Sequence, residues 1–212
     1  MTEFVIFDHS FIIAAAISTY LSYHLFQKYQ QKKISISLWF FVLFTFSAIG
    51  YFLTWIGLFT TVRYDEIPFW VTIVTNSTLV ISSSFAFAIS LLLWKQDNRL
   101  LLIPLVLAHV DLLIVLLALN EPAFENMGVF IRGISLSIVS APVLIMFFHL
   151  YRKTNSGKSL SFCVAWLVLL VGGFAARFFT MDLLGLALIL ASLILFLGMT
   201  EIIDKYLLHN PM

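Results

Sequence analysis

The residues best suited to chemistry in this sequence are polar and ionisable groups that fall inside long apolar stretches. They are Asn76, His109, Asp111, Arg132 and Arg177. An ionised side chain at the middle of a membrane helix costs roughly 2.5–3.5 kcal/mol, so each such group needs a partner or a function. A carboxylate near two guanidinium groups leaves one arginine free to hold an anionic ligand through its planar fork. We therefore predict that these five residues bind a substrate, with Asp111 as the proton- or cation-linked group.

A simpler explanation exists for parts of this set. The two arginines can extend along the helix surface to reach lipid headgroups, which would leave Asp111 with one hydrogen-bonded partner. His109 lies two residues before Asp111, or about 200° around a helix, so the two side chains cannot share one face. His109 is therefore expected to meet a different neighbour from Asp111.

Two further histidines, His24 and His149, lie near the ends of other apolar stretches and beside basic residues. Histidines at one depth on two helices can ligate a haem, so this pair is a candidate for haem or quinone binding; alternatively, each is an ordinary interfacial residue. No metal-ligand spacing occurs, and the single Cys163 cannot form an intrachain disulfide. No nucleophile–base spacing occurs either, so the sequence disfavours an enzyme. It gives no indication of a cofactor.

The composition indicates an integral membrane protein. Of 212 residues, 61% are hydrophobic and 11% are charged, whereas soluble domains have about 25% charged residues. A net charge of +1 gives no reason to expect a nucleic-acid partner. About 20 apolar residues cross a bilayer as a helix, so the chain is predicted to be all-α, with residues 1–212 forming one domain of seven transmembrane helices. The predicted segments are Val5–Phe26, Ile36–Thr60, Pro68–Trp94, Leu100–Leu119, Gly128–Leu150, Leu160–Phe179 and Leu183–Ile203.

The connections between segments alternate in charge. Positive charge marks the cytoplasmic side, so the N-terminus is predicted outside and the C-terminus inside, in a plasma or inner membrane. The first ten residues contain no Lys or Arg, so the first segment is expected to remain as a helix and not to be a signal peptide. Glu201 and Asp204, beside Lys205, are expected to be solvated at the cytoplasmic end. One side has Lys28, Lys32, Lys33, Lys95, Arg99, Arg152, Lys153 and Lys158, and the other has Glu3, Asp8, Asp65, Glu66, Glu121, Glu125 and Asp182.

The two halves of the chain share short sequence matches. HLFQK at residues 24–28 resembles HLYRK at residues 149–153, and the second and sixth segments match at Phe40 and Phe162 and at Gly50 and Gly172. These matches predict a parallel 3+1+3 repeat with the fourth segment as linker. They also fit the chance similarity of helices rich in Phe, Leu and Val, so both interpretations stay open.

This layout resembles that of the SWEET and PQ-loop transporters in helix number, repeat plan and outside N-terminus. Their proline–glutamine signature is absent, because the first segment has no proline and Pro142 is followed by Val143. No family is assigned on this resemblance, and no site residue is carried over from it. The rhodopsin plan needs a lysine within the seventh helix, and the seventh segment has none.

The function that the sequence favours is a carrier or permease for a small, anionic solute. The alternative is a membrane anchor or electron-transfer subunit that binds quinone or haem in a larger complex. A third hypothesis is a seven-helix sensor that signals through a separate cytoplasmic partner. The expected partners are the lipid bilayer, a small solute, and either further copies of the chain or a partner subunit.

Overall fold

The structure, a computed structural model, describes residues 5–64, 69–95 and 125–205 and four residues of the predicted fourth segment. Those four, Val106, Val110, Leu113 and Leu117, are helical and exposed; the rest of that segment lies outside the described residues. The described ranges contain long α-helices and no β-strand, so the all-α prediction is confirmed for them. The helices are α1 (Val5–Lys32), α2 (Ser35–Tyr64), α3 (Phe69–Lys95), α4 (Glu125–Thr154), α5 (Gly157–Phe178) and α6 (Met181–Met199).

Most of these helices extend beyond the predicted apolar segments. α1 continues past Phe26 through glutamines and lysines as far as Lys32, because these residues form helices well although they do not belong in hydrocarbon. Three stretches of the described helices are long and apolar enough to cross a membrane, namely Ile36–Phe59, Gly157–Ala176 and Met181–Met199.

The helices form a ring in chain order, and α6 packs against α1 to close it. α1 and α6 begin at the same end, where the Phe7 N–H donates to Asp182, and they finish together, where Lys28 pairs with Glu201. We call the end that contains Lys28 and Lys158 the basic end, and the end that contains Asp8 and Asp182 the acidic end. α3 and α4 also finish at the basic end, and α2 and α5 begin there.

Large apolar side chains cover the outside of the ring, and small or hydroxyl-bearing side chains fill its inside. Phe174 is 69% exposed and Phe59 is 67% exposed, whereas the buried polar side chains of the described part are serines and Thr54. Soluble proteins rarely expose so much contiguous apolar surface, and small residues between helices are typical of membrane bundles. This distribution suits a helical bundle surrounded by lipid.

Two similar turns join α1 to α2 and α4 to α5. Lys33 (φ 53°) and Asn155 (φ 48°) are both left-handed, and their N–H groups donate over 2.7 Å to the carbonyl oxygens of Tyr29 and Tyr151. Lys33 comes nine residues after His24, whereas Asn155 comes six residues after His149. The HLFQK and HLYRK matches are therefore three residues out of register with the turns.

Two glycines allow close helix contacts at matching places. A Cβ on Gly50 of α2 would overlap the Thr78 side chain of α3, and one on Gly172 of α5 would overlap Ala187 of α6. The neighbouring Gly173 has open space at the same position. Gly172 thus serves the close packing of two helices, and Gly173 does not.

We predict that Gly172→Ala lowers the stability of the protein by about 1–3 kcal/mol, as overpacking of a tight contact does. The matched control Gly173→Ala should not lower it, since the added methyl group meets no neighbour and alanine favours helix more than glycine does. Thermal unfolding of both variants in one detergent measures the difference. Equal losses in the two variants would contradict the assigned contact.

Candidate functional site

The residues predicted to bind substrate fall largely outside the described part of the structure. His109 and Asp111 lie outside the described residues. The backbones of Asn76, Arg132 and Arg177 belong to α3, α4 and α5, but their side chains are not among those described. The cluster of Asp111 with the two arginines therefore remains a prediction.

The two candidate haem histidines differ in their surroundings. The His24 ring is partly buried and stacks over Tyr20, with 6.4 Å between ring centroids. His149 is exposed, and the turns place it one helical turn nearer to the basic end of its helix than His24 is. Among the described residues, no group of three or more His, Cys, Asp or Glu side chains could hold a metal ion.

A cavity of about 60 Å³ lies inside the ring, between α1, α2, α3, α5 and α6. The volume is enough for a few water molecules. Trp166 also lines it, and its buried indole N–H has no acceptor within the described residues. Buried indole N–H groups normally have a partner, so this donor is an unsatisfied polar group within the described interior of the central cavity. The hydroxyl groups of the lining come from Ser18, Ser47, Tyr51, Ser82 and Ser192.

A second, larger cavity of about 440 Å³ lies at the basic end, and we call it the vestibule. All six helices contribute to its wall. Its volume is within the roughly 300–1,000 Å³ of small-ligand sites. Lys28 and Lys158 lie in this wall together with Ser37, Ser156 and Ser159. The vestibule thus combines a basic, hydroxyl-rich part with an apolar remainder.

Aromatic rings separate the two cavities. Phe162 lines the central cavity, and Phe40 and Phe147 line the vestibule. The Phe162 ring lies edge-on to Phe40, with centroids 5.4 Å apart, and stacks on Phe147 at 4.4 Å. All three belong to one apolar cluster with Leu21 and Met199. We call these three phenylalanines the aromatic layer, and it closes the central cavity from the vestibule.

The acidic end of the central cavity is closed by a second apolar cluster. Phe11, Ala14 and Leu188 are buried there and pack against Trp55 and other apolar residues. Close by, the Phe7 N–H of α1 donates to Asp182 of α6 over 3.0 Å. Within the described part of the chain, packed apolar side chains therefore lie at both ends of the central cavity.

Glu201 joins the two vestibule lysines. Its Oε1 accepts hydrogen bonds from Lys28 Nζ at 2.9 Å and from Lys158 Nζ at 2.6 Å. The bonds from Lys158 and Lys28 lower the pKa of the Glu201 carboxyl, which lies beyond the end of α6, to about 2. Nearby, Asp204 accepts a 2.6 Å hydrogen bond from the Gly157 N–H at the start of α5. Both acids are predicted from the sequence to be solvated, and that prediction does not include these contacts.

The sequence matches no family model, and comparison with curated proteins and with solved structures finds no similar protein. The fold and the cavities define an α-helical bundle with apolar spans and a polar interior. The features of this bundle that bear on its function are the central cavity, the vestibule and the charges at the vestibule.

We predict that Glu201 contributes to stability in a pH-dependent way. Because its pKa is lowered from 4.5 to about 2, the contribution is fully present above pH 4.5 and is lost as the pH falls towards 2. The Glu201 side chain is 55% exposed, so solvent screening limits the effect to about 1 kcal/mol or less. The measurement compares unfolding midpoints of the wild type and Glu201→Gln between pH 7 and pH 2.

The difference between the two proteins should shrink as the pH falls, and 1 M salt should reduce it at pH 7. Every other carboxyl is present in both proteins, so the comparison isolates Glu201. A difference that stays constant down to pH 2 would contradict the ion pairing.

Proposed function

We propose that this protein is a multi-pass membrane carrier for a small, anionic solute. The observation that carries the proposal is the central cavity, whose largely apolar wall includes five hydroxyl-bearing residues and which the aromatic layer separates from the vestibule. A carrier needs a site inside the bundle that can be closed from either side of the membrane, and midplane sites between helices are typical of transporters.

The charges and helix directions support seven crossings with the N-terminus outside. Positive charge favours the cytoplasmic side, which makes the basic end cytoplasmic and the acidic end external. α3 finishes at the basic end, and α4, about 45 Å long by its 30 residues, also finishes there. α4 therefore begins at the opposite end from the one where α3 stops, which supports a further crossing between them in the proposed topology.

The 3+1+3 repeat gains support when the two turns, at Lys33 and Asn155, are equated. Ser18 then corresponds to Ser140 and Leu21 to Val143, and all four side chains are buried. α1 and α4 thus present the same pattern of small and apolar residues to the interior. This register differs from the one that the HLFQK and HLYRK matches suggest.

The second and fifth helices support the same repeat. Leu43, Phe44 and Ser47 of α2 correspond to Ala165, Trp166 and Leu169 of α5, and all six residues line the central cavity. The corresponding rings of Phe40 and Phe162 touch each other, as equivalent residues do at a twofold axis. The contact at Gly50 places α3 against α2, and the contact at the matching Gly172 places α6 against α5 in the same way. We call α1–α3 the first unit and α4–α6 the second unit.

In the proposed mechanism the two units rock against each other around the central cavity. The aromatic layer forms the cytoplasmic gate, and the cluster of Phe11, Leu188 and Trp55 forms the external gate. Opening one gate while the other stays shut gives alternating access. Asn76, His109, Asp111, Arg132 and Arg177 would act from the external half, with Asp111 as the coupling group.

Cysteine labelling tests this path without knowledge of the solute. Cys163 is the single cysteine, so Cys163→Ala provides a background without thiols. Ser192→Cys then places one thiol in the central cavity. A membrane-impermeant thiol reagent should label it from either side of sealed, oriented vesicles, because each gate opens in turn.

Leu190→Cys in the same background is the matched control, since Leu190 lies on the same helix and is 52% exposed on its outer surface. Lipid should protect this thiol from the charged reagent on both sides. Labelling of Ser192→Cys from one side alone would mean that the cavity is a pocket and not a path, and would overturn the proposal.

The role of Asp111 has its own test. In proteoliposomes supplied with a panel of labelled organic acids, accumulation driven by a pH gradient should be lost in Asp111→Asn, because an amide cannot carry the coupling proton. Exchange of the same solute at equal pH on both sides should survive. Gradient-driven accumulation at the wild-type rate in Asp111→Asn would remove Asp111 from the mechanism.

A further inference from the structure

We propose that the vestibule binds an organic anion with a medium-length apolar tail, and that Glu201 is the internal carboxylate which this anion displaces from Lys28 and Lys158. The inference depends on the carrier function proposed above and names the chemical class of its solute. It places the first contact of that solute at the basic end and not among the predicted residues of the external half.

The geometry of the three charged groups carries the argument. Both ammonium groups donate to one oxygen, Glu201 Oε1, so the trio has a net charge of +1. The Lys28 and Lys158 side chains are 23% and 34% exposed, whereas Glu201 is 55% exposed. The carboxylate is therefore the more solvated partner of two sheltered cations. A second carboxylate with the same hydrogen-bonding geometry can take its place at low cost, because the lysines keep their charge-assisted bonds.

The other residues that line the vestibule indicate which chemical group the anion carries. The lining also includes the hydroxyl-bearing residues Ser37, Ser156 and Ser159. Most of the remaining wall is apolar, with Leu25, Phe40, Leu93, Phe147, Leu150 and Met199. A polar head with a hydrocarbon tail matches both parts, whereas an inorganic anion would leave the apolar part filled with water.

The size of the vestibule limits the tail. Its floor is closed by the aromatic layer and by Met199, which are tightly packed. A volume of about 440 Å³ accommodates a medium-length monocarboxylate but not the paired long tails of a phospholipid. The single surplus positive charge also suits a monoanion. We therefore assign the site to a soluble aliphatic carboxylate.

The experiment measures octanoate binding by titration calorimetry, using the full chain in a neutral maltoside detergent. Octanoate should bind, while acetate, which lacks the tail, and 1-octanol, which lacks the charge, should bind far more weakly. Lys28→Gln and Lys158→Gln should each weaken octanoate binding about tenfold, as loss of one charge-assisted hydrogen bond does. Glu201→Gln should tighten it several-fold, because the internal competitor is removed.

Lys153→Gln is the matched control, since Lys153 is an exposed lysine at the end of α4 that does not line the vestibule. It should leave octanoate binding unchanged. Weaker octanoate binding in Glu201→Gln would show that Glu201 is structural, and equal binding of 1-octanol would show a merely apolar pocket; either result overturns the proposal. So does loss of octanoate binding in nanodiscs that contain phosphatidylglycerol but not in phosphatidylcholine nanodiscs, which would assign the site to an anionic lipid.

These outcomes are separate from those of the labelling test. If octanoate does not bind but Ser192→Cys is labelled from both sides, the carrier function stands and the assignment of its solute falls. If octanoate binds but Ser192→Cys is labelled from one side only, the vestibule is an anion site in a protein that is not a carrier.

Discussion

The structure depends on one constraint: polar groups that enter hydrocarbon must find their partners inside the protein. The described helices meet it by turning serines inward, while phenylalanines lie both on the outer surface and in the packed interior. Some hydroxyls bond back to their own helix, as Ser90 does to the Phe87 carbonyl, and others bridge two helices, as Ser47 and Ser82 do at 2.9 Å. Because serine and alanine are small, an interior built from them leaves space, and the central cavity is that space.

Two carboxylates fasten the ring at its opposite ends. A helix begins with N–H groups that have no partner in the helix itself, and a negative charge there is favoured by the helix dipole. Asp182 accepts from the first turn of α1, and Asp204 accepts from the first residue of α5. The Asp182 bond joins α6 to α1 and so helps to close the ring, whereas the Asp204 bond joins α5 to the residues that follow its neighbour α6.

Apolar length alone predicted where most of the helices lie, because it depends only on neighbouring residues. It could not predict how each helix is rotated, since rotation is set by packing against other helices. For the same reason Glu201 was expected to be solvated, although it meets Lys28 and Lys158 across the ring. The repeat was predicted from two sets of matches. Those of Phe40 with Phe162 and of Gly50 with Gly172 have the same register as the turns at Lys33 and Asn155, whereas HLFQK and HLYRK are three residues out of that register. The predicted roles of His109 and Asp111 depend on how their helix is rotated, and both residues lie outside the described part of the structure.

The contacts within and between the two units connect the proposed anion site in the vestibule with the proposed rocking of the units. Within each unit, the contacts at Gly50 and Gly172 are too close to let the helices slide. Between the units, the basic end is held by the Lys28–Glu201 ion pair and by ring contacts such as that of Phe40 with Phe162. A ligand shifts a conformational equilibrium only if it interacts differently with the two states. In the proposed mechanism, an anion held by both Lys28 and Lys158 replaces the Lys28–Glu201 bond with its own bridge between the units. It shifts the equilibrium only if that bridge fits one state better than the Lys28–Glu201 pair does.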